Sequence, residues 1–141
     1  MTEARSTSPL DAALGRVGDR WSLLVVEALL DGSRRFNELS SDVTGIAPNI
    51  LTERLRRLER AGVVRARPYS ERPLRYAYEL TADGRELAGV LRLLATWGAR
   101  GGEGTEPLRH VTCGTPMEAR WYCPTCARAV EDQESDALRF V

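Results

Sequence analysis

Residues 48–64 read PNILTERLRRLERAGVV. Leu51, Leu55 and Leu58 fall four and three residues apart, the spacing that lines one side of a helix. Pro48 suits a first helical position, where its missing N–H costs nothing, and Ala61-Gly62 closes the run. At about 100° per residue the side opposite the leucines presents Asn49, Glu53, Arg56 and Arg60, with Thr52 beside them. Immediately upstream, Arg35 to Val43 reads as a short helix with Phe36 and Leu39 inward, and Thr44-Gly45-Ile46 as a tight turn. A helix, a glycine-bearing turn and a second helix make the helix-turn-helix pattern.

Past Gly62 the apolar period drops from about 3.6 to about 2. Val63 and Val64 open one strand, and Tyr76, Tyr78 and Leu80 alternate with Arg75, Ala77 and Glu79 in another. Pro68 to Pro73 is expected to be the loop between them. A hairpin directly after the second helix is the wing of a winged helix. Towards the N-terminus, Leu10, Leu14 and Val17 after Pro9, and then Trp21, Leu24, Val25, Ala28 and Leu29, predict two amphipathic helices that stop at Asp31-Gly32. A last long helix, capped by Thr81, is expected from Ala82 to Trp97 with Leu87, Val90, Leu91, Leu94 and Trp97 on one face. That stripe serves to close the core. With Leu93 added it is wide enough to leave apolar surface for a partner as well.

The chain has 141 residues, 43% hydrophobic and 28% charged, the balance of a soluble globular protein. No apolar run reaches the roughly 18 residues of a membrane span, and Met1 to Ser8 is polar, so a cytoplasmic protein with no membrane partner is expected. The formal net charge is zero, yet Arg34 to Arg75 carries ten arginines against five acids. A neutral chain thus has a basic middle, as a phosphate-binding surface requires. The chemistry of the helix face fits base edges: Arg bonds guanine bidentately, Asn bonds adenine, Thr touches the thymine methyl, and Glu accepts from cytosine. Asn49, Thr52, Glu53 and Arg56 are therefore expected to read bases and Arg57 and Arg60 to hold phosphates. Arg72 and Arg75 at the wing would meet backbone or minor groove. The alternatives are an ordinary solvated face with a Glu53–Arg57 pair, worth a few tenths of a kcal/mol, or a winged helix that binds protein.

The stretch from Pro9 to Gly98 resembles the HxlR family of winged-helix regulators. Its marks are G-D-R-W at 18–21, R-R-F-N-E-L at 34–39, L-T-E-R-L-R-R-L-E-R-A-G-V-V at 51–64, Y-x-L-T-x-x-G at 78–84, and Trp97-Gly98. The resemblance implies a homodimer paired through its terminal helices, with two recognition helices in successive major grooves of a pseudo-palindromic double-stranded DNA site. Repression is the expected outcome, because a bound dimer obstructs polymerase without further contacts. Three departures stand out. Many members carry a redox-active Cys before the first helix, where this chain has Ser8-Pro9. Ala47 replaces a Ser cap at the recognition helix, and Gly18-Asp19-Arg20-Trp21 replaces G-K-W.

His110-x2-Cys113 and Cys123-x2-Cys126 supply four soft or borderline ligands in two close pairs, which suits one structural zinc per chain with no open position. A segment this short lacks a hydrophobic core of its own, so metal would supply its folding energy. A C-x-x-C redox pair and free thiols remain the alternatives, and a thiol-redox or metal-responsive regulator would make Cys123/Cys126 chemistry the control of DNA binding. A thiol-disulfide oxidoreductase needs a fold this pattern does not offer, and the sole His lies in the metal motif. No catalytic residue is assigned, so the chain is not read as an enzyme. A small-molecule effector has no residue pattern to mark it.

The fold class expected is α+β, mainly α: a winged helix-turn-helix with a long C-terminal dimerisation helix, followed by a small Cys3His zinc-ribbon-like module. The boundaries expected are a flexible N-terminus at 1–8, the DNA-binding and dimerisation domain at 9–99, a linker at 100–107, the zinc module at 108–131 and an acidic tail at 132–141.

Overall fold

A computed structural model describes residues 8–100, 102 and 106–140. The flexible N-terminus expected at 1–8, apart from Ser8, and half of the expected 100–107 linker lie outside those residues. Helix α1 (Pro9–Val17) begins where Ser8 Oγ accepts from Asp11 N at 3.1 Å, and α2 (Arg20–Leu29) begins at the cap Asp19. Then come β1 (Arg34–Arg35), α3 (Phe36–Asp42), α4 (Pro48–Arg60), β2 (Val64–Glu71), β3 (Leu74–Leu80), α5 (Ala82–Arg85) and α6 (Leu87–Ala99). A hairpin of β4 (Trp121–Cys123) and β5 (Arg128–Val130) and a 3-10 turn (Ser135–Ala137) complete the described chain.

The chain divides into two units, residues 1–91 and 92–141, with the division inside α6. In the first unit, α3 and α4 form the helix-turn-helix and β1-β3-β2 an antiparallel sheet whose β2–β3 hairpin is the wing. Leu51, Leu55 and Leu58 are fully buried, against Val25, Val26, Leu29, Leu39, Val63, Val64 and Leu80. Each fully buried side chain of this kind contributes about 1.5 to 3 kcal/mol, so the leucine stripe fixes which side of α4 faces water.

Three details depart from the expected organisation. The strands run almost to the hairpin tip, leaving only Arg72-Pro73 between them, because the register shift between Pro68 and Ser70 absorbs Tyr69 as a bulge. Arg34 and Arg35 add a short strand that pairs with Tyr78 and Ala77. The expected single helix from Ala82 to Trp97 is two helices with a break at Glu86. Thr81 Oγ1 accepts from Gly84 N at 3.1 Å and donates to Gly62 O at 2.6 Å, and a Cβ on Gly84 would lie 2.1 Å from Val63 O. Only glycine allows that approach, so the T-x-x-G spacing seats the first turn of α5 against the end of α4. Gly62, at φ +73°, ends α4 in the left-handed region.

In the second unit no described side chain from 106 to 140 is buried. The segment expected as an acidic tail folds back, with Glu134 paired to Arg128 of β5 at 3.0 Å.

Candidate nucleic-acid interface

Helix α4 starts from Ala47 without a side-chain cap, and Pro48 opens it as expected. Asn49, Glu53, Arg56 and Arg60 are exposed opposite the leucines, and Thr52 is half-buried beside them. The Thr52 hydroxyl donates to Pro48 O at 3.0 Å, which satisfies the polar end of this side chain. Glu53 bonds its neighbour Arg54 at 2.9 Å, and the Glu53–Arg57 pair considered from the sequence is not formed.

The ten arginines from 34 to 75 fall into three groups. Arg34 pairs with Asp42, Arg54 and Arg57 pair with Asp19, and Arg65 and Arg67 share Glu79. Arg35 lies over the ring of Tyr69, 4.4 Å from its centre, where the bulge presents it. Arg56 and Arg60 on α4 and Arg72 and Arg75 at the wing form no hydrogen bond or ion pair among the described residues. Those four belong to the set expected to meet DNA. Arg57, the fifth, is instead turned onto Asp19 and Gly15 O.

Asp19 is a residue whose importance the sequence reading missed. The spacing Asp19-x-x-Ser22 is a helix-cap signal and was open to detection, but its bonds to arginines far along the chain were not.

The expected dimerisation residues also separate. Leu87 and Leu91 pack onto the core, whereas Val90, Leu94 and Trp97 are exposed, as are Leu93 and, on α1, Leu10 and Leu14.

In the second unit the four candidate metal ligands form two half-sites. His110 Nδ1 lies 3.3 Å from Cys113 Sγ, inside a turn closed by Gly114 N donating to His110 O at 2.7 Å, with Gly114 at φ +72°. Cys123 and Cys126 sit at the turn of the β4–β5 hairpin, with Ala127 at φ 52° in the equivalent position after the second ligand. Hydrogen bonds from Thr115, then from His110, lower the Cys113 pKa to about 7. Backbone and thiol bonds from Cys126 lower Cys123, while the bond and charge of Cys123 raise Cys126. Among the described residues no three His, Cys, Asp or Glu side chains converge as a metal-binding group, so the pairs stand apart.

The chain matches the HxlR-like helix-turn-helix family over residues 16–105. It is 38% identical over 122 residues to an uncharacterised HTH-type transcriptional regulator of Mycobacterium tuberculosis, covering 84% of this chain and 77% of that one. The crystal structure of PA1607, described as a candidate transcription factor, superposes with a TM-score of 0.78 at 28% identity over 97% of this chain and 96% of its own. The redox regulator HypR in its reduced form superposes with a TM-score of 0.63 at 32% identity, covering 67% of this chain and 93% of that chain.

Proposed function

The chain is a transcriptional regulator belonging to the HxlR-like helix-turn-helix family, and from that membership we propose that it binds a pseudo-palindromic operator as a homodimer and represses by obstruction. Helix α4 enters the major groove, where Asn49, Thr52, Glu53 and Arg56 read base edges and Arg60 holds phosphate. Arg72 and Arg75 of the wing meet the backbone. One observation carries this reading: the arginines of the basic middle left without a protein partner are those on the exposed face of α4 and at the wing.

The two kinds of contact are separable by mutation. Arg56→Ala should relax the preference at one base position by about 1 to 3 kcal/mol, while Arg72→Ala should weaken every sequence alike. Binding-site selection with each variant measures this. Identical behaviour of the two variants would overturn the assignment of base and phosphate contacts.

We also propose that residues 108–131 hold one structural zinc through His110, Cys113, Cys123 and Cys126. The support is chemical and geometric. Two matched turns, each closed by a left-handed residue after its second ligand, present a Cys3His set, and the segment has no buried side chain to stabilise it otherwise. The ion would supply the cross-link that draws the half-sites together.

A second reading takes its support from the likeness to the redox regulator HypR. Ser8 stands at the position before the first helix, so a thiol switch in this chain would use Cys113, Cys123 or Cys126.

A further inference from the structure

At the elbow between α1 and α2, one carboxylate holds two arginines of α4. Asp19 Oδ1 accepts from Arg54 Nε and Asp19 Oδ2 from Arg57 Nη1, each at 3.0 Å. The same carboxylate caps α2, accepting from Ser22 N at 2.9 Å and from Ser22 Oγ at 2.6 Å. Ser22 is fully buried, and the Asp19, Arg54 and Arg57 side chains are only 24, 20 and 35% exposed. Burial pushes the Asp19 carboxyl up, but the hydrogen bonds from Ser22 and Arg54 outweigh it and hold the group below its ordinary value, so it is charged at neutral pH.

Two further bonds run reciprocally between α1 and α4. Arg57 Nη2 donates to Gly15 O at 3.2 Å, and Arg16 Nη2 donates to Ala61 O at 2.7 Å while pairing with Asp83 of α5. The C-terminal half of helix α4 is therefore tied to α1 and the α1–α2 elbow, with Asp19 the anion at the centre.

We propose that Asp19 is a positioning residue for DNA recognition: its pairs with Arg54 and Arg57 set the pose of α4 against α1, so that the base-reading side chains arrive in register. The proposal rests on the DNA-binding reading above. Sequence is read by hydrogen bonds to base edges, which depend on where α4 places its side chains, whereas phosphate contacts carry no sequence information directly. Loosening the clamp therefore costs specificity first. Removing the carboxylate also takes the Asp19 anion away from two guanidinium groups, leaving Arg54 on Glu53 and Arg57 on Gly15 O, and raises the net charge by one, which favours non-specific binding.

The test is Asp19→Asn in the full chain, since Asn caps a helix about as well as Asp and keeps α2 anchored at Ser22. Affinity is measured for the duplex that the wild-type protein selects from a random library and for poly(dI-dC), and folding is followed by circular dichroism. The ratio of specific to non-specific affinity should fall about tenfold, the size of one mismatched base contact, with non-specific affinity unchanged or tighter. A parallel loss of both affinities would overturn the proposal, since that is what a purely structural role gives. Arg57→Gln serves as the independent variant. It should lower the same ratio and leave the salt slope as in wild type, and a slope reduced by about one would make Arg57 a phosphate contact instead. Failure of the wild-type chain to select any duplex would overturn the DNA-binding reading and the clamp together, whereas an unchanged ratio in Asp19→Asn strikes the clamp alone.

Discussion

Replacing Cys123 with Ser, or stripping metal with a chelator, is expected to unfold residues 108–131 while leaving operator binding largely intact. Small zinc modules draw about 10 to 16 kcal/mol of folding free energy from their metal. This segment has no other source of comparable size, because none of its described side chains is buried. Helix α4, proposed to read DNA, has its own core in Leu51, Leu55 and Leu58 and does not draw on that energy. Elemental analysis of natively purified protein should find one zinc per chain, with three thiols protected until chelation. Protein without metal, and with Cys123 and Cys126 joined as a disulfide, would contradict the zinc assignment and favour the redox reading. Complete loss of operator binding on chelation would contradict the separation of the two functions.

The second large effect lies on α6. Val90, Leu94 and Trp97 recur at helical spacing and are all exposed, while Leu87 and Leu91 on the same helix pack onto the core. A helix apolar on both of these sides has surface left over after closing its own domain, and an exposed apolar stripe marks an interaction surface. Trp97, 68% exposed, is its largest member. Trp97→Glu is expected to give a folded monomer by analytical ultracentrifugation. Its operator affinity should fall by about 10² to 10⁴, because the second half-site loses the effective concentration that a dimer provides. A variant that stays dimeric with unchanged affinity would remove α6 from the interface.

Much of this was legible in the residues. The leucine spacing of 51, 55 and 58, the glycine turn before it and the alternating strands after it placed the winged helix, because each rests on local periodicity set against charge. The break at Glu86 was hidden, since the apolar pattern runs through it. Beside the break Gly84 approaches the Val63 carbonyl, a contact between segments distant in sequence. The wing loop read too long because Pro68 and Ser70 are turn residues by habit, whereas here a bulge at Tyr69 accommodates them within the strand. Arg57 read as a phosphate contact for the same kind of reason. Its charge is plain in the sequence, but its partner Asp19 lies beyond the helix-turn-helix and only the tertiary fold joins them. The cysteine and histidine spacing revealed two turns, and nothing local in either turn fixes its distance from the other.

The most direct test of the account is the affinity of the wild-type protein for its selected duplex between 50 and 200 mM salt. On the proposed reading, Arg60, Arg72 and Arg75 from two protomers would supply about six phosphate contacts, so affinity should fall roughly a thousandfold over that range despite a net charge of zero. A flat response would mean that the unpaired arginines meet no phosphate, and the DNA interface placed on α4 and the wing would fall with it.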